Sequence, residues 1–147
     1  MCGHCTIGAV TVLLEAGFLP SKEGENQVIL DVPSGIIKTK AIVKNKKVVS
    51  VTLINVPSFV YLENQTVNIY GKNIQFTISF GGSFFALVDA NKMGFPPIEP
   101  QNSKFYLDLG IKMREKINKE IEVKHPYLDI TEVDLVEFFS DSPNKEK

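Results

Sequence analysis

The chain has 147 residues, of which 44% are hydrophobic and 22% are charged, and its net charge is -1 at neutral pH. A chain of this size and composition can form a soluble domain with its own core, and a charge so near zero argues against nucleic-acid binding. No uninterrupted apolar run approaches the ~20 residues of a membrane-spanning helix, and the first residues lack the basic region of a signal peptide. We therefore expect a cytoplasmic protein that contacts neither nucleic acid nor membrane.

The first predicted element is a helix from about Gly3 to Ala16, within the string MCGHCTIGAVTVLLEAGFLP. Gly17 and Pro20 follow it, and both are typical of positions just beyond a helix C-terminus. Apolar side chains occur on nearly every face, so the pattern predicts a helix enclosed by protein on all sides. These apolar residues are Ile7, Val10, Val12, Leu13 and Leu14.

Both cysteines, Cys2 and Cys5, lie at the start of this helix, together with His4. The first N–H groups of a helix have no intrahelical partner and the macrodipole is positive there, so this end favours an anion beside a thiol. In a reducing compartment a structural disulfide is not expected, which leaves the thiols a catalytic, metal-binding or incidental role. Zinc requires about four N or S ligands, and Cys2, His4 and Cys5 are too close in sequence to complete a tetrahedron. We therefore expect no metal.

Short β-branched runs follow, separated by turn signals, and their spacing predicts an antiparallel meander rather than β-α-β units. A curled sheet wrapped around the first helix is the simplest way to bury both, although periodicity alone gives only the α+β class. Glycines 81 and 82 are interpreted as a tight turn between two strands. The predicted strands are Val28–Val32, Ile36–Lys44, Lys47–Asn55, Phe59–Ile69, Ile74–Phe80 and Phe84–Ala90.

A second helix is predicted after the proline-rich connector Gly94–Asn102, and His125-Pro126 should end it. A further strand is predicted over Val133–Phe139. We expect one domain over residues 1–139 and a polar tail over residues 140–147. The predicted apolar stripe of the second helix consists of Leu107, Ile111, Met113, Ile117 and Ile121.

The opening string MCGHCTIG resembles the first signature of the proline racemase family, an M-C-G-H-x-T-I-G pattern that opens a central helix and carries one of two catalytic thiols. The string FGGSFFALVDANKMG, Phe80–Gly94, is similar to the glycine pair and strand late in the family's first domain. The family's second thiol motif has no counterpart here, because no cysteine follows Cys5. The resemblance thus implies a segment of such an enzyme with one catalytic half.

The fold that this resemblance implies is a partial first domain of diaminopimelate-epimerase-like type, in which a β-barrel-like antiparallel sheet wraps around a central helix. Family members carry strands before the signature. Without those strands, one side of the central helix is expected to be exposed.

The resemblance also implies a cofactor-independent racemase or epimerase of amino-acid metabolism that acts at Cα of proline or hydroxyproline. Inversion needs a base on one face of Cα and an acid on the other, and the resemblance implies that Cys2 is the catalytic thiol of this half. Cys5 stands at the variable position of the family pattern, so we expect it to be a small packing residue. The backbone N–H groups of Gly3 and His4 would bind the substrate carboxylate. No lysine is identifiable as a Schiff-base residue, so no pyridoxal phosphate is expected. The small-molecule substrate is the only partner implied, although a homodimer is allowed.

The resemblance leaves racemase, hydroxyproline epimerase and hydroxyproline dehydratase open, because the second catalytic position is absent from this chain. For the same reason the segment alone is expected to be inactive. CGHC, residues 2–5, is also the active-site string of thioredoxin-like disulfide isomerases, which would use Cys2 and Cys5 for disulfide exchange. The chain lacks both a preceding strand pair and any Trp, so its context favours the racemase. A third hypothesis is a non-catalytic remnant that binds a partner.

Overall fold

The computed structural model of the protein describes residues 2–142, which divide into two compact units between Pro57 and Ser58. Both units combine helix and sheet, which confirms the α+β class. The first contains α1 (Gly3–Glu15), β1 (Gly24–Val32), β2 (Gly35–Lys44) and β3 (Lys47–Ile54). The second contains β4 (Phe59–Ile69), β5 (Lys72–Phe80), β6 (Phe84–Asp89), a 3-10 turn (Pro100–Asn102), α2 (Ser103–Glu120) and β7 (Val133–Phe139).

The first unit has a three-stranded antiparallel sheet with the order β1-β2-β3. Asn45 and Lys46 join β2 to β3 with φ angles of 51° and 62°, so both residues of this two-residue turn are left-handed, as a tight hairpin requires. Strand β1 begins earlier than the predicted Val28. The added part of the strand contains Asn26, a buried polar residue whose side chain accepts a hydrogen bond from the N–H of Lys22 and donates one to the Lys22 carbonyl.

Helix α1 packs on this sheet through one face only. Val10 and Leu14 are buried in a cluster with Val28, Ala41 and Val43, while Val12 is 57% exposed. The prediction of a helix enclosed on all sides is therefore wrong for the described residues. A three-stranded sheet covers one side of a helix, and the apolar circumference of the sequence does not reveal which side.

The second unit has a four-stranded sheet with the order β4-β5-β6-β7. The first three strands form the predicted meander, and Gly82, with a φ of 112°, lies in the tight turn between β5 and β6. Strand β7 pairs parallel to β6, so this sheet is mixed rather than purely antiparallel. The physical reason is that α2 carries the chain back along the sheet before β7 begins.

Helix α2 ends at Glu120 rather than at His125, because the β-branched Ile121 adopts an extended conformation with φ -126° and ψ 117°. Its buried face contains Leu109, Met113 and Ile117. Leu107 and Ile111 of the predicted stripe are exposed, which corrects the orientation of the helix. Within residues 2–142, no helix is long and apolar enough to cross a membrane.

Candidate active site

The candidate site lies at the N-terminus of α1, where Cys2 is the residue before the first helical position. Cys2 is extended, with φ -127° and ψ 114°. Its carbonyl accepts hydrogen bonds from the backbone N–H of Thr6 and from Thr6 Oγ1, both at 3.0 Å. These bonds fix the first turn, so the thiol of Cys2 lies at the positive end of the helix dipole.

The two thiols are free and differ in their acidity. Cys2 is half-buried, and its pKa is lowered below the ordinary value, first by the backbone N–H of Cys5, then by the Cys5 thiol and more weakly by the N–H of His4. The pKa of Cys5 is raised by its hydrogen bond to Cys2 and by the charge that Cys2 carries. Within residues 2–142 the Cys2 side chain makes no N-cap hydrogen bond, so we attribute the lowered pKa to the attraction of nearby N–H dipoles. Cys2 therefore ionises before Cys5.

His4 places its imidazole against the same sulfur. Its Nε2 lies 3.3 Å and its Nδ1 3.6 Å from Cys2 Sγ. Either nitrogen can donate or accept according to the tautomer. The side chain of His4 is exposed, so the ring is accessible to solvent while it lies next to the thiol.

Gly3 and His4 are the first two residues of α1, and their backbone N–H groups have no acceptor within the helix. Among the described residues, a Cβ added to Gly3 would meet only the side chain of Leu53, at 3.9 Å. The protein itself therefore leaves room for a side chain here. A glycine at this position allows an anionic ligand to approach the backbone closely.

Cys5 was expected to be a small packing residue, but the structure exposes it. The three donor atoms of Cys2, His4 and Cys5 lie within 4.8 Å of one another. These residues supply three of the four donors that a tetrahedral site needs, so the expectation that they do not complete a tetrahedron by themselves stays a prediction. Because the N-cap residue lies outside the helix, its side chain can return toward residues one turn later.

A second concave surface, in the second unit, was not predicted. It is a groove of about 1060 Å³ along α2 and β7. The sequence signal for this groove is the apolar pair Leu107 and Ile111. The pattern assigned both residues to the core, but they line the groove. Its other apolar lining residues include Ile98, Leu135, Val136 and Phe138.

The chain matches the model of the proline racemase family over residues 1–147. It is similar to the proline racemase of Clostridioides difficile, with 43% identity over 99% of this chain and 44% of that protein. It is also similar to a trans-3-hydroxy-L-proline dehydratase of Colwellia psychrerythraea, with 34% identity over 99% of this chain and 41% of the relative. The chain thus spans less than half the length of these curated relatives.

Two solved structures resemble the chain closely. A hydroxyproline epimerase from Agrobacterium vitis, with bound trans-4-OH-L-proline, has a TM-score of 0.87 and 34% identity over 94% of this chain and 41% of its own. A probable proline racemase from Agrobacterium radiobacter, with bound carbonate, has a TM-score of 0.86 and 31% identity over 92% of this chain and 40% of its own.

Proposed function

The chain belongs to the proline racemase family, and from this premise we propose that it supplies one half of a racemase or epimerase site acting at Cα of proline or hydroxyproline. The observation that carries the proposal is Cys2, a thiol of lowered pKa at the N-terminus of α1. A thiolate at this position is a base beside the N–H groups that begin α1, which is what abstraction of a proton next to a carboxylate needs.

In the proposed reaction, the Cys2 thiolate removes the proton from Cα, and the electron pair of the broken C–H bond delocalises into the substrate carboxylate. The negative charge on that carboxylate grows during this step. The N–H groups of Gly3 and His4 stabilise the growing charge, helped by the helix dipole. Reprotonation must come from the opposite face of Cα, because returning the same proton restores the starting configuration.

Cys5 does not supply that second group. Its sulfur lies beside the sulfur of Cys2, on the same side of any substrate bound to the N–H groups of α1. The opposing acid therefore comes from outside this chain in the proposed enzyme. The reverse reaction exchanges the roles, with Cys2 as the acid and the opposing group as the base. The proposed chemistry uses no cofactor, and the His4 side chain acts as a positioning residue for the thiol.

The relatives support the substrate class, because they are named as a proline racemase, 4-hydroxyproline 2-epimerases and a trans-3-hydroxy-L-proline dehydratase. All of these substrates present a carboxylate and an acidic Cα–H, the two features that Cys2 and the first N–H groups of α1 recognise. We place inversion of proline or 4-hydroxyproline first, in the cytoplasm, and dehydration of 3-hydroxyproline second.

The test is a chimera in which this chain replaces the matching region of the Clostridioides difficile proline racemase. Inversion of proline is followed by polarimetry, and exchange of Cα–H by mass in heavy water. We expect Cys2→Ser to reduce turnover by orders of magnitude, because a hydroxyl scarcely ionises near neutral pH. Cys5→Ser is the matched control. Its hydroxyl still donates to Cys2, so turnover should be nearly unchanged.

Equal losses in the two variants would contradict Cys2 as the sole catalytic thiol of this half. A second measurement keeps the test decisive if the chimera misfolds. Alkylation of Cys2 in the 147-residue chain should slow in the presence of L-proline, because the bound carboxylate covers the thiol. The proposed binding site would be contradicted if L-proline failed to slow the alkylation of Cys2 in both the chimera and the 147-residue chain.

Disulfide exchange is the second candidate, and one observation favours it. The thiols of Cys2 and Cys5 are adjacent, and the pKa of the first is lowered while that of the second is raised. An exchanger needs a nucleophilic thiol and a second thiol to resolve the mixed disulfide. Insulin reduction, followed by turbidity, should then require both residues, whereas the proposed inversion requires Cys2 alone.

A further inference from the structure

The proposed inversion leaves Cys5 without a chemical role, although its thiol is exposed next to two other metal-ligating groups. Cys2 Sγ lies 3.3 Å from His4 Nε2, and the donor atoms of the three residues all fall within 4.8 Å of one another. In a tetrahedral zinc site with Zn–S of about 2.3 Å and Zn–N of about 2.0 Å, neighbouring ligand atoms are roughly 3.5 to 3.8 Å apart. Small side-chain rotations would therefore bring all three donors to one ion.

We propose that Cys2, His4 and Cys5 form a binding site for a soft divalent cation of the Zn²⁺ class. The two sulfurs bind as thiolates and one imidazole nitrogen of His4 is the third ligand. The fourth position remains open to water or to another ligand. Binding releases both thiol protons, so two thiolate charges balance the charge of the ion.

The donor set defines which metals fit. Two sulfurs and one imidazole nitrogen favour Zn²⁺ and other thiophilic ions, whereas Mg²⁺ and Ca²⁺ require oxygen ligands. Access is open, because His4 and Cys5 are exposed and Cys2 is half-buried. Geometry also favours the site, because the extended backbone of Cys2 places its side chain outside the helix.

Binding of a metal ion at this site would affect the inversion reaction, a consequence that rests on the proposed function. Coordination draws electron density from the Cys2 thiolate toward the ion, so the bound sulfur is a much weaker base toward the Cα proton. Zinc would therefore inhibit the enzyme reversibly, and a chelator would restore its activity. Cys5 would add this sensitivity to metal without taking part in inversion.

The first experiment measures metal binding by the reduced 147-residue chain, with Co²⁺ as the spectroscopic probe and Zn²⁺ as the competitor. We expect one ion per chain, with thiolate-to-cobalt charge-transfer absorption and the intense visible bands of tetrahedral Co²⁺. Cys2→Ser, Cys5→Ser and His4→Gln should each weaken Zn²⁺ binding by at least about 10-fold, since disturbing even an outer-shell partner costs that much. The charge-transfer band should weaken in each cysteine variant.

His125→Asn is the matched control, because His125 is the other histidine of the chain. Its Nδ1 accepts hydrogen bonds from the N–H groups of Tyr127 and Leu128, and the Asn carbonyl can replace that acceptor. Zinc affinity should be unchanged in this variant. Absence of charge-transfer absorption, or an affinity that neither cysteine substitution changes, would overturn the proposal.

A second experiment separates this proposal from the proposed function. In the active chimera, Zn²⁺ should inhibit the unsubstituted protein, and Cys5→Ser should raise the inhibitory concentration at least about 10-fold while it retains basal turnover. An inactive chimera together with the expected cobalt spectrum would count against the function and leave the metal site intact. An active chimera whose chain shows no cobalt charge transfer would count against the metal site alone.

Discussion

At the scale of single residues, the acidity of Cys2 can be measured directly. The pKa of Cys2 lies below and that of Cys5 above the ordinary thiol value. Because the thiolate is the nucleophile, the alkylation rate of each thiol rises as pH increases through its own pKa. We expect iodoacetamide to modify Cys2 at a lower pH than Cys5, with the two sites followed by peptide mass spectrometry. Identical pH profiles for the two sites would show that the N–H groups of α1 do not favour the Cys2 thiolate.

Gly3 offers a second test at this scale. Among the described residues, a Cβ at this position would meet only Leu53, at an ordinary contact distance, and alanine suits a helix better than glycine. Gly3→Ala should therefore leave thermal stability undiminished. Its methyl group would nevertheless stand between the N–H groups and a bound carboxylate. We expect the Kd for proline, measured in the chimera by calorimetry, to rise roughly 10- to 100-fold, the usual cost of a misplaced methyl group in a binding site.

Gly8→Ala provides the matched control for Gly3. It lies in the same helix, and a Cβ there would meet no atom of the described part of the chain within 4 Å. This variant should keep the affinity for proline and gain up to about 1 kcal/mol of helix stability. A Gly3→Ala protein that binds proline as tightly as Gly8→Ala would contradict the carboxylate site.

The position of Cys2, Gly3 and His4 at one helix terminus could be predicted from sequence, because the helix signals and the MCGHCTIG string both indicate it. The roles of these residues in the site stay predictions. The proximity of Cys2 and Cys5 follows from their spacing of one helical turn, but the orientation of the two thiols toward each other could not be predicted. Whether two thiols one turn apart face each other depends on the backbone angles of the N-cap residue, and no residue pattern specifies those angles. Cys5 was consequently interpreted as a packing residue.

At the scale of elements, the one-sided packing of α1 predicts unequal effects of two substitutions. Leu14 is 4% exposed and belongs to the core cluster, whereas Val12 is 57% exposed. We expect Leu14→Ala to lower the free energy of unfolding of the 147-residue chain by about 2–5 kcal/mol, the cost of a cavity at a buried leucine. Val12→Ala should change it by no more than about 0.5 kcal/mol. Urea titration measures both values, and a comparable loss in the two variants would show that α1 is enclosed on both sides.

The C-terminal end of α1 is tied to β3 by Glu15. Its Oε2 accepts a hydrogen bond from Lys47 Nζ at 2.7 Å, and its Oε1 accepts one from the Val48 N–H at 2.8 Å. Lys47 first and Val48 second lower the pKa of Glu15. A carboxyl whose pKa is lower in the folded state stabilises the protein above its unfolded pKa, and this contribution is lost as pH falls through the folded pKa.

We therefore expect Glu15→Gln to lower the thermal unfolding midpoint by a few degrees at neutral pH. The difference from the unsubstituted chain should disappear in acid, below the range in which glutamates titrate. Glu25→Gln is the control, since its ion pair with Lys40, at 3.3 Å, is largely exposed and should contribute little. Equal effects of the two substitutions, or a Glu15→Gln difference that persists in acid, would contradict this role.

The elements were easier to predict than their orientations. Turn residues and β-branched runs located all the strands, because local backbone preferences act over a few residues. The exposed face of α2 was assigned wrongly, since its sequence carries apolar residues on two adjacent faces. One face, with Met113 and Ile117, is buried in the core. The other, with Leu107 and Ile111, lines a groove, and only the packed structure distinguishes them.

At the scale of the whole molecule, we expect the 147-residue chain alone to catalyse no Cα–H exchange of L-proline or 4-hydroxyproline. The reason is that the proposed opposing acid is not among its residues, and the chain spans 44% of the Clostridioides difficile enzyme. Incubation in heavy water, followed by mass spectrometry of the amino acid, measures the exchange, and the active chimera is the positive control. Deuterium incorporation by the purified chain, abolished in Cys2→Ser, would refute the two-halves mechanism.

Family membership was predictable at this scale because a short signature with a reactive residue is distinctive. The extent of each unit was not. The boundary between Pro57 and Ser58 follows from which strands pair with one another, and pairing is a long-range property. The parallel pairing of β6 with β7 was unpredictable for the same reason. The residues of β7 do not indicate which strand lies next to it.

That parallel pair constrains the order in which the second unit folds. Strands β4, β5 and β6 are connected by short turns, so their pairing requires little loop-closure entropy. Strand β7 can reach β6 only after the long intervening segment, including α2, has been confined. Non-local pairing of this kind is slow. We therefore expect the hairpins to form first and the docking of α2 and β7 to complete the sheet. Until then the edge of β6 is free to associate with another chain.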